Sequence, residues 1–597
     1  MTQYAAPVAD IRFVMSELAG LSEVAGLPGH DELGEDLVEA ILTEAGKFAE
    51  TVLAPLNASG DREGVKWTPQ GVATPAGFRE AYAQYTAAGW NNVGVELALG
   101  GQGLPCLVST AVAEIFMAAN KAFSMCPGLT LGAIEALAAA GSDELKARYL
   151  PNLVSGRWAG TMNLTEPQAG SDVGAIRCRA VPTDDGRYRI YGQKIFISYG
   201  EHDLTENIVH LVLARTPDAP DGVKGISLFV VPKFLVEADG SLGARNDVQC
   251  ASVEHKLGIH GSPTCVMAYG ERDGAIGYLV GERHRGLQAM FVMMNAARLT
   301  VGMEGVALAE RAYQQARGYA QERVQGRPSG ASSAMVPIIQ HPDVKRMLMT
   351  MRSQIEAMRA MALVIARAQD MSRCHESVAR RASEQAFVDL MTPVFKGWAT
   401  ETGLDVTSLG VQIHGGMGYV EETGAAQHLR DARISTIYEG TTGIQAADLV
   451  TRKLARDEGR TFNAVVGQMR ENAATLIGED RSFAALHERF ISSVAALETA
   501  GHSLLRAVAH APDEALAVSV PFLMLFGQVA GGWQLVRGAL AAHRRLKHDN
   551  AANSVFLRTR IELAQFYAHH VLPHAASFAE TVAYGGRATL ALDDDQF

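Results

Sequence analysis

Ile208-Val209-His210-Leu211-Val212-Leu213 and Ile226-Ser227-Leu228-Phe229-Val230-Val231 are short β-rich runs in the middle of a chain that is otherwise patterned for helix. With Tyr188-Arg189-Ile190-Tyr191 and Lys194-Ile195-Phe196-Ile197, and turn clusters such as Asp184-Asp185-Gly186 between them, they predict an antiparallel β domain over 159–285. Upstream, Leu37-Val38-Ala40-Ile41-Leu42-Ala45-Phe48 and Ser109-Ala111-Val112-Ile115-Phe116 repeat at helical spacing. Residues 35–158 therefore read as an N-terminal α-helical domain that follows a 1–34 extension. After Gly286 helical periodicity returns, as a bundle over 286–455 and an additional helical domain over 456–597. Helices, then strands, then helices is α+β segregation rather than alternating βαβ units. No strand–GxGxxG–helix unit is present, so a Rossmann dinucleotide fold is disfavoured.

The 597 residues exceed what one core sustains, and 48% hydrophobic with 20% charged residues is a globular composition able to bury a cofactor. A formal net charge of −12 argues against a general nucleic-acid binder, which needs clustered Lys and Arg. The six cysteines form no CxxC pair and have no His cluster beside them, so no metal site is expected and a reducing compartment is. No signal peptide is evident at the start, and a cytoplasmic location follows as an expectation. The uncharged run 515–536 has the length of a membrane span, but Ser519, Pro521, Gln528 and Gly531-Gly532 interrupt it. A buried helix is expected there.

Three short stretches carry the chemistry. Met162-Asn163-Leu164-Thr165-Glu166-Pro167-Gln168-Ala169-Gly170-Ser171-Asp172 opens the β domain. Pro167 and Gly170 force irregular backbone, so the loop can offer several donors to a flat polar ring, or equally be a solvated turn. Gln412-Ile413-His414-Gly415-Gly416-Met417-Gly418 lets a backbone or a pyrophosphate approach closely, or simply ends a helix. Ile437-Tyr438-Glu439-Gly440-Thr441-Thr442 holds a glutamate that is either an ordinary surface carboxylate or a general base.

Taken together, in order and spacing, the three resemble the acyl-CoA dehydrogenase family from about residue 35 to 455. The pattern T-E-P-x-A-G-S-D and the later R-D-A-x-I-x-x-I-Y-E-G-T carry the resemblance. The N-terminal extension and added C-terminal helices look like the longer subfamily, which includes 3-methylmercaptopropionyl-CoA dehydrogenases and bacterial fatty acyl-CoA dehydrogenases. The resemblance implies FAD as cofactor, with Met162, Leu164, Thr165, Gly170 and Ser171 at the flavin and Ser171 shared with CoA. It also implies that Phe196, Ile197 and Ser198 lie beside the flavin, although relatives often carry Trp and Thr at the first and last of these. Arg323, Gln412, Gly415 and Gly416 match the residues that reach the FAD pyrophosphate of a neighbouring subunit, and Thr441 one near its adenine half. Arg298 matches an arginine that helps hold CoA, with Asn295 where relatives often have Asp. Tyr438, Glu439 and Gly440 match the substrate-contacting turn, and Gln427 stands where the pattern expects Lys or Arg.

By that resemblance Glu439 takes the α-proton of the acyl thioester while the β-hydride passes to the flavin, giving a trans-2-enoyl-CoA. Medium-to-long-chain fatty acyl-CoA is the first expected substrate, and 3-methylmercaptopropionyl-CoA the alternative. Small residues at Gly128, Gly132 and Ala133 permit a deep pocket. Electron-transfer flavoprotein is the expected acceptor and a homodimer the expected assembly. An acyl-CoA oxidase is the nearest enzymatic rival. A nucleic-acid-associated flavoprotein of the alkylation-response type is the rival of another class, but it wants a basic C-terminal region, and here only Arg544-Arg545-Leu546-Lys547 is dense.

Overall fold

The computed structural model describes residues 4–327, 334–548 and 554–597. The chain forms two compact units, one of residues 48–104 and 119–300, the other of 1–47, 105–118 and 301–597.

The first unit is built on an eight-stranded sheet. Its strands lie in the order Val248–Val253, Thr264–Tyr269, Tyr188–Ser198, Ala275–Val280, Ile226–Pro232, Asn207–Arg215 and Trp158–Asn163, with Arg179–Pro182 paired to Tyr188–Ser198 and Asn207–Arg215. The sheet is mixed rather than wholly antiparallel, because Trp158–Asn163 runs parallel to Asn207–Arg215 in register from Trp158 opposite Asn207 to Asn163 opposite Val212. Parallel neighbours need a long crossover, and the stretch after Asn163, with the motif loop and two further strands, supplies it. The two apolar runs that decide the fold lie side by side in the sheet and are buried on both faces. Val209, Leu211, Leu213, Leu228 and Val230 point into a core shared with Ile134, Leu137, Leu150 and Trp158, whereas Val212, Ala214, Phe229 and Val231 face Tyr188, Ile190 and Tyr269.

The second unit is helical. Its long members are Pro342–Cys374, Val378–His414, Arg460–Glu479, Ala484–His510 and Ser519–His548, with the C-terminal part of Gly286–Glu322. The uncharged run 515–536 falls mostly in Ser519–His548, where Phe522, Leu523, Leu525, Phe526 and Val529 are buried. Gly527 admits a partner there, since a Cβ on it would lie 2.2 Å from Trp398. Cys106–Ala140 and Ser519–Lys547 are the two helical stretches among the described residues long and apolar enough to cross a membrane.

The N-terminal extension is part of this unit. Tyr4 donates to the Ile115 carbonyl at 3.1 Å, and Arg560 bridges Asp10 to Glu356. Nearby Arg359, 1% exposed, joins Glu114 (2.8 Å) and Glu310 (2.7 Å). Removing that cation strands two buried carboxylates. Arg359→Ala is expected to lower unfolding stability by about 3–5 kcal/mol, measurable by chemical denaturation.

Candidate active site

In the sheet-bearing unit the motif loop follows strand Trp158–Asn163 and is pinned from beneath by Glu166, which is 3% exposed. Its carboxylate accepts from Lys194 Nζ at 2.8 Å and from the backbone N–H groups of Arg177 (2.6 Å) and Cys178 (3.0 Å). Burial alone would raise its pKa, but the Lys194 charge and these hydrogen bonds outweigh burial and bring it down to about 2. Lys194 also donates to the Leu164 carbonyl at 2.8 Å, and Ile195 N–H to the Thr165 carbonyl at 3.0 Å. The loop and the strand Tyr188–Ser198 are thereby brought together. On the loop's open side Gly170 and Ser171 are exposed; Met162, Leu164 and Thr165 are half-buried.

Phe196 follows Lys194 by two residues and behaves differently from a ladder residue. Cys265 faces Ile197 and Met267 faces Lys194, so Tyr188–Ser198 carries one extra residue at this point. Phe196 takes φ +60° in that bulge and turns its ring outward, 59% exposed, while Ile197 is buried and Ser198 half-buried. Behind the loop, Tyr269 donates to Asn163 Oδ1 at 2.8 Å, and Asn163 Nδ2 to Thr161 Oγ1 at 2.8 Å. Thr161 Oγ1 is 2.7 Å from His210 Nδ1. Arg298 is buried on helix Gly286–Glu322; the side chain of Asn295, on the same helix, lies outside the described residues.

In the helical unit, Glu439 and Gly440 both have left-handed backbone, φ +55° and +87°. Such backbone costs about 1–3 kcal/mol for a non-glycine residue and persists only when surrounded by enforcing contacts. The contacts are explicit. Gln445 Nε2 donates to the Glu439 carbonyl at 3.0 Å, and buried Lys396 Nζ to the Gly440 carbonyl at 2.7 Å. Thr441 caps the helix Thr442–Asp448 by accepting from Ile444 N–H at 3.2 Å. A Cβ at 440 would also come within 2.7 Å of Gln445 Nε2, the atom that holds the Glu439 carbonyl. Glu439 itself is half-buried.

The glycine loop sits at the end of helix Val378–His414. Gly418 is packed, because a Cβ on it would lie 2.2 Å from the Val411 carbonyl oxygen. Gly415 and Gly416 are different: a Cβ on either meets nothing within 4 Å, and both are exposed with Gln412. His414 stacks on Tyr319, ring centroids 4.5 Å apart, which brings this loop beside the helix end that carries exposed Arg323. Gln427 is buried and donates to Asp431 at 3.2 Å, a helical i,i+4 contact.

Comparison with known proteins decides the family. Four domain descriptions match in succession: Acyl-CoA dehydrogenase, N-terminal domain (36–157), middle domain (161–270) and C-terminal domain (284–454), then Acetyl-CoA dehydrogenase C-terminal like (465–593). The chain is 49% identical to 3-methylmercaptopropionyl-CoA dehydrogenase of Ruegeria pomeroyi over 95% of this chain and 96% of that one. The chain belongs to the acyl-CoA dehydrogenase family. It is 35% identical to the broad-specificity linear acyl-CoA dehydrogenase FadE5 of Mycobacterium tuberculosis over the whole of both chains. Among solved structures, ACDH-11 of Caenorhabditis elegans in complex with C11-CoA shares the fold, with a TM-score of 0.79 at 22% identity over 99% of this chain and 96% of that one.

As an acyl-CoA dehydrogenase the protein is an FAD-dependent oxidoreductase acting on an acyl-CoA. Its own surface fits that cofactor: an outward aromatic ring sits on a loop-and-bulge platform, and two glycines leave a backbone edge that no side chain among the described residues fills. Four residues of this frame escaped the sequence reading. Lys194, Lys396 and Gln445 hold backbone carbonyls, and Glu304 binds Tyr438. For Lys194 a signal existed: it stands in the inward phase of Tyr188 and Ile190, whereas Ile197 is in the opposite phase, which betrays an extra residue between them.

Proposed function

We propose that Glu439 is the general base of an α,β-dehydrogenation. The supporting observation is the clamp on its turn: strained backbone whose two successive carbonyls are held by Gln445 and Lys396, with a glycine beside it that leaves the carboxylate approachable. A thioester α-proton is only weakly acidic, so its removal needs the carbonyl oxygen polarised at the same time. The Glu439 N–H donates to that oxygen, an oxyanion-type contact, while the carboxylate takes the α-proton. FAD, when bound, accepts the β-hydride. Met162, Leu164, Thr165, Gly170, Ser171 and Phe196 to Ser198 hold its ring, with Thr441 nearer its adenine half. Arg323, Gln412, Gly415 and Gly416 serve the pyrophosphate of a partner copy, which makes a homodimer the working unit. Arg298 and Asn295 bind CoA together with Ser171, and Tyr438 and Gly440 line the acyl group. Electron-transfer flavoprotein is the acceptor, and the cytoplasm the site of action.

For the substrate, we infer a short acyl-CoA of the 3-methylmercaptopropionyl type. The 49% identical relative bears that activity in its name, and the sheet-bearing unit is consistent with a short chain. A Cβ on Gly132 would lie 2.8 Å from the Met293 side chain, and one on Gly160 2.4 Å from Ala133. The space at Gly132 and Ala133 is thus used for packing, whereas a Cβ on Gly128 would meet nothing within 4 Å among the described residues. Medium-to-long fatty acyl-CoA is the second reading, favoured by the 35% identity to the linear acyl-CoA dehydrogenase. Anaerobic titration with 3-methylmercaptopropionyl-CoA and with straight-chain esters of graded length decides, read as flavin bleaching. Fastest bleaching by the methylthio ester and the four-carbon ester is expected. Preference for eight carbons or more supports the second reading, and no bleaching by any ester overturns both. Peroxide formed at the turnover rate in air would make the enzyme an oxidase.

A further inference from the structure

A second carboxylate lies behind the Glu439 turn. Glu304, on the part of helix Gly286–Glu322 that belongs to the helical unit, is 5% exposed. The Tyr438 hydroxyl donates to it, 2.7 Å from Oε1 and 2.5 Å from Oε2, and the Ser435 hydroxyl donates to Oε2 at 2.7 Å. Ser435 and Tyr438 lie on the same side of the turn, just before Glu439. Burial, then the charge of Glu304, hold the Tyr438 phenol well above its usual range, so it stays a neutral donor. Burying an anion is costly, and one kept this close to a functional turn calls for a use beyond stability.

We propose that Glu304 is a positioning residue for Glu439, acting through Tyr438 and Ser435. The inference rests on reading Glu439 as the base. Two effects combine. The hydroxyl bonds fix the chain on the N-terminal side of Glu439, as Gln445 and Lys396 fix it on the C-terminal side. A fixed negative charge next to the turn also disfavours a second one on Glu439, which makes Glu439 a stronger base. Among the described residues, the charged groups bonded to this turn and its flanks include Lys396, Glu401, which accepts from Thr442, and Arg433, which bonds Thr436. All of them remain in the variants below, so differences report on Glu304.

The test uses the FAD-loaded full chain with Glu304→Gln and Glu304→Leu, and Glu439→Gln as the control on the underlying reading. Bound flavin per chain, the thermal transition, the acyl-CoA-induced shift of the flavin spectrum and the pH profile of anaerobic flavin reduction are measured. Glutamine still accepts the two hydroxyls, so Glu304→Gln is expected to keep flavin and melting temperature. Its acid limb should move to lower pH, because the like charge is gone. Glu304→Leu also loses the geometry, and its reduction rate should fall about 10²-fold while acyl-CoA still binds. A Glu304→Gln pH profile superimposable on that of the parent, with a Glu304→Leu variant that only melts earlier or sheds flavin, would make the residue merely structural and overturn the proposal. Unimpaired flavin reduction by Glu439→Gln would instead remove the reading beneath it.

Discussion

Replacing Glu439 by glutamine is expected to leave a protein that binds FAD and acyl-CoA but whose flavin is reduced about 10²–10⁴-fold more slowly. The substitution is nearly isosteric and keeps the backbone N–H, so the turn retains the Gln445 and Lys396 bonds to the carbonyls of Glu439 and Gly440. It also keeps Tyr438 on Glu304. What disappears is only the capacity to take a proton. Anaerobic stopped-flow of the purified variant against the preferred acyl-CoA checks it, with the acyl-CoA-induced spectral shift confirming that substrate still binds. A rate within a few-fold of the parent would assign the base elsewhere.

That Glu439 could be singled out at all came from its setting of three separated motifs, not from the residue itself, since a glutamate between Tyr and Gly is chemically anonymous. The strands were legible because Asn207–Arg215 and Ile226–Pro232 are buried on both faces and therefore apolar without alternation. The parallel pairing of Trp158–Asn163 was not legible, because a strand's composition does not tell which neighbour it takes. The helical clamp was hidden for a related reason. Lys396 and Glu304 are charged residues within long helices, where exposure is the ordinary fate, and only the fold turns them inward. Side-chain directions at the small residues of 128–133 were equally invisible in the sequence. Gly132 reads as room in a sequence, but Met293 fills it. Nor does the 1–34 extension betray its destination: Asp10 meets Arg560 across the whole length of the chain.

The second large effect is expected at Lys194. Lys194→Met removes the cation that neutralises Glu166 and one donor to the Leu164 carbonyl, in a place where both charged side chains are almost fully buried. Breaking such a pair by deleting one partner costs about 3–5 kcal/mol. The loss should reach the flavin, because Glu166 and Lys194 set the path of the loop whose Thr165 and Ser171 are proposed to hold it. Bound FAD per purified chain is expected to fall together with the thermal transition, and excess FAD should restore part of both. The pH dependence separates the ion pair from a packing defect. In the parent, Glu166 titrates at about 2 when folded, against an ordinary value of about 4.3 when unfolded. It therefore contributes stability that is complete above about pH 4.3 and is lost as the pH falls towards 2. In Lys194→Met, burial is opposed by the Arg177 and Cys178 N–H groups and the Gln168 amide but no longer by a cation, so the folded value rises and this acid-side loss shrinks. Denaturation midpoints at pH 3 and pH 7 should then lie closer together in the variant than in the parent. An unchanged gap between them would mean that Lys194 supports the loop by its packing and its bond to Leu164, not by its charge.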